Sequence, residues 1–196
     1  YTLNAGLVAD LAPDLIITQG LCQVCAVPAS EVEALANQIH SSPGLLNLAP
    51  MSLTDVLESI GRVGEATGAQ KKAQAYREAL ELRITRIRNA VAELVTVPPR
   101  VAVLEWLDPL FNAGHWTPEL VELAGGIDCL GAKHQPSVEI SFEEVCRADP
   151  EVLIVSLCGF DEKRAREEMP LLEGLAGYRD LKAVREGRVH VIDGNA

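Results

Sequence analysis

The chain has 196 residues, of which 48% are apolar and 23% charged, and it carries a formal net charge of −11. That length buries a substantial core as one large domain or two small ones, while the acidic balance excludes nucleic acid and anionic membrane surfaces, which are bound through basic patches that release counterions. No apolar run reaches the roughly 18 residues of a membrane-spanning helix, and the five cysteines, Cys22, Cys25, Cys129, Cys146 and Cys158, form an odd set that does not read as a disulfide framework.

In chain order, Leu7 to Leu11 read as the end of a helix, which turns at Pro13-Asp14 into the short apolar run Leu15-Ile16-Ile17-Thr18, a buried parallel strand. The loop QGLCQVC follows, then a helix capped by Ser30 and running to about His40, a break at Pro43-Gly44, and a strand over Leu45-Leu46-Asn47-Leu48. Ser52 with Asp55 opens the next helix, SLTDVLESIGRVGEATG. Two strands are few for an independent sheet, so more strands of this lobe are expected upstream of Tyr1, where the chain opens without a Met and in mid-element. It reads as a fragment or processed form with no leader in view, which leaves the compartment open, the cytoplasm included.

From Thr67 to Val95 the residues Ala69, Ala73, Tyr76, Leu80, Ile84, Ile87, Val91 and Leu94 recur at spacings of three and four, which predicts one long helix with a single apolar stripe. Thr67 and Gln70 form its capping box, and Pro98 and Pro99 stop it. At ~1.5 Å per residue it is on the order of 40 Å long. Arginines and glutamates cover the rest of its surface, as in a coiled-coil arm, but compact α/β sequence on both sides favours a strut between two lobes. The resulting division is a first lobe over 1–66, a linking helix over 67–97 and a second lobe over 98–196.

The second lobe restarts the alternation of strand and helix. RVAVLE, from Arg100 to Glu105, is a strand, and WLDPLFNAGHW is a long loop. Thr117 caps a helix that Gly125-Gly126 ends. Ile127 to Leu130 is a short strand, GAKHQPSVE is loop, and Ser141 with Glu144 forms a second capping box. Asp149-Pro150 turns the chain into the strand Val152-Leu153-Ile154-Val155, polar helices broken at Pro170 and Gly177 follow, and RVHVID is the last strand. This alternation predicts an α/β protein of two Rossmann-like lobes with parallel sheets. Pro13 to Thr18 and Pro150 to Val155 match position by position as proline, acid and buried strand, consistent with two lobes of related design.

Ligands of open parallel sheets bind beyond the carboxyl ends of the strands. Those ends carry Gln19, Cys22, Cys25, Glu105, Trp106, Asp108, Phe111, His115, Trp116, Cys158 and Phe160, which include both tryptophans and two of the three phenylalanines. Such a concentration predicts a cleft for a large, flat or partly apolar ligand. Cys22 and Cys25 form a C-x-x-C that reads as a redox pair of an intracellular thiol enzyme or sensor, as half of a metal site, or as loop residues lining the cleft. A soft metal would suit Cys22, Cys25 and Cys158 with His115. His115 is either an axial ligand to the metal of a bound macrocycle or a loop histidine bonded to backbone. Glu105 and Asp108 are a catalytic acid pair, or more simply polar anchors or loop capping groups. No nucleophile elbow, zinc-protease motif, P-loop or dinucleotide fingerprint occurs, so the chain reads as a non-enzyme.

The segments ADLAPDLIIT, SLTDVLESIGRVGEATG leading into the long helix, RVAVLEWLDPLFNAGHWTPELVELAGG and ISFEEVCRADPEVLIVS, in this order and spacing, resemble the substrate-binding proteins of ABC importers in the class whose two lobes are joined by one long helix. The closest likeness is to binders of cobalamin, with siderophore and haem binders as relatives. The resemblance implies a monomer without a cofactor of its own. It also implies a corrinoid, or alternatively haem, a ferric siderophore or a metal, clamped between the lobes and delivered to a membrane permease outside the cytoplasm. It places a permease-docking carboxylate at Glu143, while the matching first-lobe position falls near Gly6, which carries no charge.

Overall fold

The structure, a computed structural model, describes residues 2–21 and 27–195. The chain divides into two compact units, Tyr1–Glu81 and Leu82–Ala196. The division falls inside one helix that belongs to both.

The first unit runs through α1 (Ala5–Leu11), β1 (Leu15–Gln19), α2 (Ala29–Ala36), β2 (Gly44–Leu48), α3 (Leu53–Ala66) and the start of α4 (Gln70–Leu94). β1 and β2 pair in parallel from Leu15 opposite Gly44 to Gln19 opposite Leu48. The capping box of α3 forms as expected: the Asp55 backbone N–H donates to Ser52 Oγ at 3.0 Å, and Asp55 Oδ2 accepts from the Ser52 N–H at 2.9 Å. Ser30 is not a cap, because α2 begins one residue earlier with Pro28 at its N-cap.

The long helix starts later than its pattern suggested. Thr67 closes α3, its hydroxyl donating to the Val63 carbonyl at 2.7 Å, and Gly68 at φ +68° turns the chain before α4 begins. Along the stripe Ala73, Leu80, Ile84 and Val91 are half-buried, whereas Tyr76, Ile87 and Leu94 are exposed, and no residue of α4 is fully buried.

The second unit is built on a mixed sheet in the order β4, β3, β6, β7, with β5 also on β3. Its strands are β3 (Arg100–Leu107), β4 (Leu110–Asn112), β5 (Ile127–Asp128), β6 (Val152–Val155) and β7 (Val189–Val191). β5, β6 and β7 join in parallel, and β4 runs antiparallel to β3. Its helices are α5 (Thr117–Leu123), α6 (Phe142–Ala148), α7 (Glu162–Glu173) and α8 (Lys182–Arg185), with a 3₁₀ turn at Tyr178–Asp180. Alternation along β3 puts Ala102 and Leu104 into one buried cluster, with Leu153, Val155, Leu157 and Leu172, and Val101 and Val103 into another with Ala113 and Val121. Both faces of the sheet are therefore covered, which is why its strands read as continuous apolar runs.

Three local expectations are corrected here. WLDPLFNAGHW is not one long loop: β3 continues through Trp106 to Leu107, turns at the cis Asp108-Pro109 bond and returns as β4. Thr117 does not cap α5, whose N-cap is Trp116, because the Thr117 hydroxyl is used by Glu105. Pro170 does not break α7; it lies near the helix end on the exposed side, where the missing N–H costs one bond and the helix runs on to Glu173.

Candidate ligand-binding face

The register of the β3/β4 hairpin shapes the site. Leu104 lies opposite Asn112 and Trp106 opposite Phe111, so Glu105 is the extra residue of a bulge, a device that turns a side chain away from the regular pleat. Its carboxylate accepts a hydrogen bond from Thr117 Oγ1 at 3.2 Å and another from Ser137 Oγ. Glu105 thus ties the end of β3 to the first turn of α5 and to the segment that follows β5. These two bonds fit the loop-capping reading of Glu105.

On either side of that tie lie the aromatic residues. Trp106 and Phe160 meet edge to face, with ring centroids 5.2 Å apart and planes at 72°. Both rings are half-buried against the main core cluster. The indole N–H of Trp106 donates to the Asp108 carbonyl at 3.0 Å, so its one polar atom is satisfied within the hairpin. Phe160 carries the Arg164 guanidinium 3.7 Å from its ring centroid. Cys158 is an exposed free thiol whose backbone N–H donates to the Glu105 carbonyl at 3.2 Å, which sets the ends of β3 and β6 side by side. Phe111 is half-buried and register partner to Trp106.

His115 is held by its backbone. At φ 55° it lies in the left-handed region; its N–H donates to the Gln135 carbonyl at 2.6 Å and its carbonyl accepts from the His134 N–H at 3.0 Å. Its ring lies 5.9 Å from that of Trp116, and its Nε2 is buried with no hydrogen-bond partner among the described residues. Among those residues no group of three or more His, Cys, Asp and Glu is placed to hold a metal ion.

Glu105, Trp106, Phe111, His115, Trp116, Cys158 and Phe160 therefore all belong to the second unit, at or just beyond the carboxyl ends of β3 and β6. Gln19 ends β1 in the first unit, where its Oε1 accepts from the Leu21 N–H at 2.9 Å. Cys22 and Cys25 lie outside the described residues. Glu143 is exposed in the first turn of α6. Sequence reasoning missed Thr117 and Ser137 as partners of Glu105. It also missed Asn112, buried at 5% exposure, whose amide donates to the Leu130 carbonyl at 2.7 Å and accepts from the Val138 N–H at 2.8 Å. An asparagine inside the apolar run LFNA was the available signal. Arg164, four residues after Phe160 at a helix start, was legible in the same way.

Residues 2–196 match the protein family described as periplasmic binding protein. No curated protein sequence matches the chain. The fold is similar to that of an ABC transporter substrate-binding protein from Listeria monocytogenes EGD-e, at 17% identity and a TM-score of 0.78 over 98% of this chain and 72% of that one. It is similar to the periplasmic vitamin B12 binding protein BtuF of Vibrio cholerae, at 21% identity and 0.71 over 99% and 70%. It is also similar to the periplasmic heme-binding protein RhuT from Roseiflexus sp. RS-1, at 24% identity and 0.74 over 98% and 71%. At these identities the likeness is one of fold.

Proposed function

The chain belongs to the periplasmic binding protein family, and on that premise we propose that it captures a corrinoid of the cobalamin type outside the cytoplasm and delivers it, as a monomer and without catalysis, to the permease of an ABC importer. The observation that carries the ligand class is the edge-to-face pair of Trp106 and Phe160 at the ends of β3 and β6. Two rings fixed by the strands beneath them offer broad apolar area at little ordering cost, and the indole N–H is already bonded within the hairpin. That surface suits a macrocycle better than a small polar solute. Glu143, exposed on α6, is the carboxylate assigned to permease docking.

Haem or a ferric siderophore is the second reading, favoured by the similarity of fold to proteins whose names specify heme and Fe3+-hydroxamate. Titration with cyanocobalamin, haem and a ferric hydroxamate, followed by tryptophan fluorescence, separates these ligands. The expected result is saturable quenching by cyanocobalamin, with affinity reduced at least about tenfold in Trp106→Ala, as for a buried aromatic anchor. Silence toward every corrinoid with saturation by haem transfers the assignment to haem.

A further inference from the structure

Arg164 has a setting unlike that of Arg100, Arg166 and Arg188 in the same unit. Arg166 pairs with Glu162 at 2.7 Å, Arg188 with Glu186, and Arg100 donates to the Ala148 carbonyl at 2.9 Å. The Arg164 guanidinium instead lies 3.7 Å over the Phe160 ring, and no ion pair among the described residues engages it. Its backbone is fixed as well, since the Arg164 N–H donates at 2.8 Å to Asp161 Oδ1 in the cap of α7. With its carbon held 3.7 Å from the ring centroid, the guanidinium keeps a planar fork of donors that matches a carboxylate or phosphate through two parallel bonds. The stack also limits the side-chain freedom that such a grip would otherwise have to remove. The same Phe160 supports the cation and packs on Trp106, so the charge sits at the rim of the aromatic surface.

We infer that Arg164 is an anion anchor of the ligand face: it takes an oxyanion carried on the periphery of a flat macrocycle whose ring lies against Trp106 and Phe160. The inference rests on the macrocycle reading above and narrows it to ligands that combine an apolar face with a peripheral acid. In a chain of net charge −11, an acid-bearing ligand is repelled by the protein as a whole, so a local cation is what makes its capture favourable. Two sources supply this chemistry, the phosphodiester of a complete cobalamin and the carboxylates of haem.

The test uses the full chain and paired probes, cyanocobalamin against dicyanocobinamide, which lacks the phosphodiester, and haem against its dimethyl ester. In whichever pair binds, the acid-bearing member is expected to bind about tenfold or more tighter, the scale of one charge-assisted contact, with a preference that weakens as salt rises. Arg164→Gln removes the preference, Arg164→Lys restores part of it, and Arg166→Gln, which removes the same charge two residues further along the helix, leaves it intact. Saturable binding with equal affinity for both members of a pair, or a preference that survives in Arg164→Gln, overturns the anchor while the macrocycle reading stands. Absence of binding to all four probes overturns both.

Discussion

Asp128, the last residue of β5, has carboxylate oxygens with opposite surroundings. Oδ1 accepts from the backbone N–H groups of Leu130 and Gly131, at 3.0 and 2.7 Å, while Oδ2 is buried with no hydrogen-bond partner among the described residues. Desolvation outweighs those two bonds and pushes the carboxyl above its ordinary value. A group whose folded pKa is raised contributes stability that is full below its unfolded pKa and lost as pH rises through the folded one. Asp128→Asn keeps the Oδ1 acceptor and removes the charge, so it is expected to stabilise by on the order of 1 kcal/mol near pH 7. Melting curves of both proteins check this, and the gain should vanish toward acid pH; a gain independent of pH contradicts the assignment. The backbone half of the Asp128 contacts was legible as an acid next to a turn. The orphaned oxygen was not, because burial depends on what packs over the turn.

At the scale of elements, the segment after β5 was legible only as loop, yet it is zipped onto the hairpin. Ile140 donates to the Leu110 carbonyl at 2.9 Å, Asn112 to that of Val138 at 3.1 Å, and His115 to that of Gln135 at 2.6 Å. Gly114 makes this approach possible, since a Cβ there would come within 2.6 Å of the Gln135 carbonyl oxygen and of the Pro136 carbonyl carbon. Backbone cannot yield as a side chain can, so Gly114→Ala is expected to cost on the order of 1–3 kcal/mol. A thermal melt measures it, and an unchanged midpoint would mean that the segment is not seated on the hairpin. The capping boxes of α3 and α6 are legible because Ser and its acidic partner three residues on carry the signal, whereas the same spacing at Thr67 and Gln70 forms no box, since the Thr67 hydroxyl donates to the Val63 carbonyl and Gln70 is already the first residue of α4. The β3/β4 hairpin is not legible in the sequence because its turn contains neither Asn-Gly nor any glycine, and Thr117 reads as a cap because its true partner, Glu105, is 12 residues away in sequence.

At the scale of the whole chain, the two units differ in how much they bury. Among the described residues, both clusters of buried apolar side chains lie in the second unit, whereas the first buries only Val32, Ala36 and Ile39 of its apolar residues. Local opening follows buried contacts. In native-state hydrogen exchange the amides of β3 and β6 are therefore expected to show protection at least about tenfold above those of β1 and β2. Equal protection would mean that one cooperative event opens both units. What the sequence by itself determined is the alternation of strands and helices, the long amphipathic helix, the two capping boxes and the gathering of aromatic residues at strand ends, because each follows from spacing within a few residues. What only the tertiary structure decided is which of those residues have partners already: Glu105 is occupied by Thr117 and Ser137, Trp106 by its own hairpin, and Arg164 rests on Phe160 with no ion pair among the described residues. A side chain's availability depends on neighbours brought in from distant parts of the chain, and no local spacing encodes them.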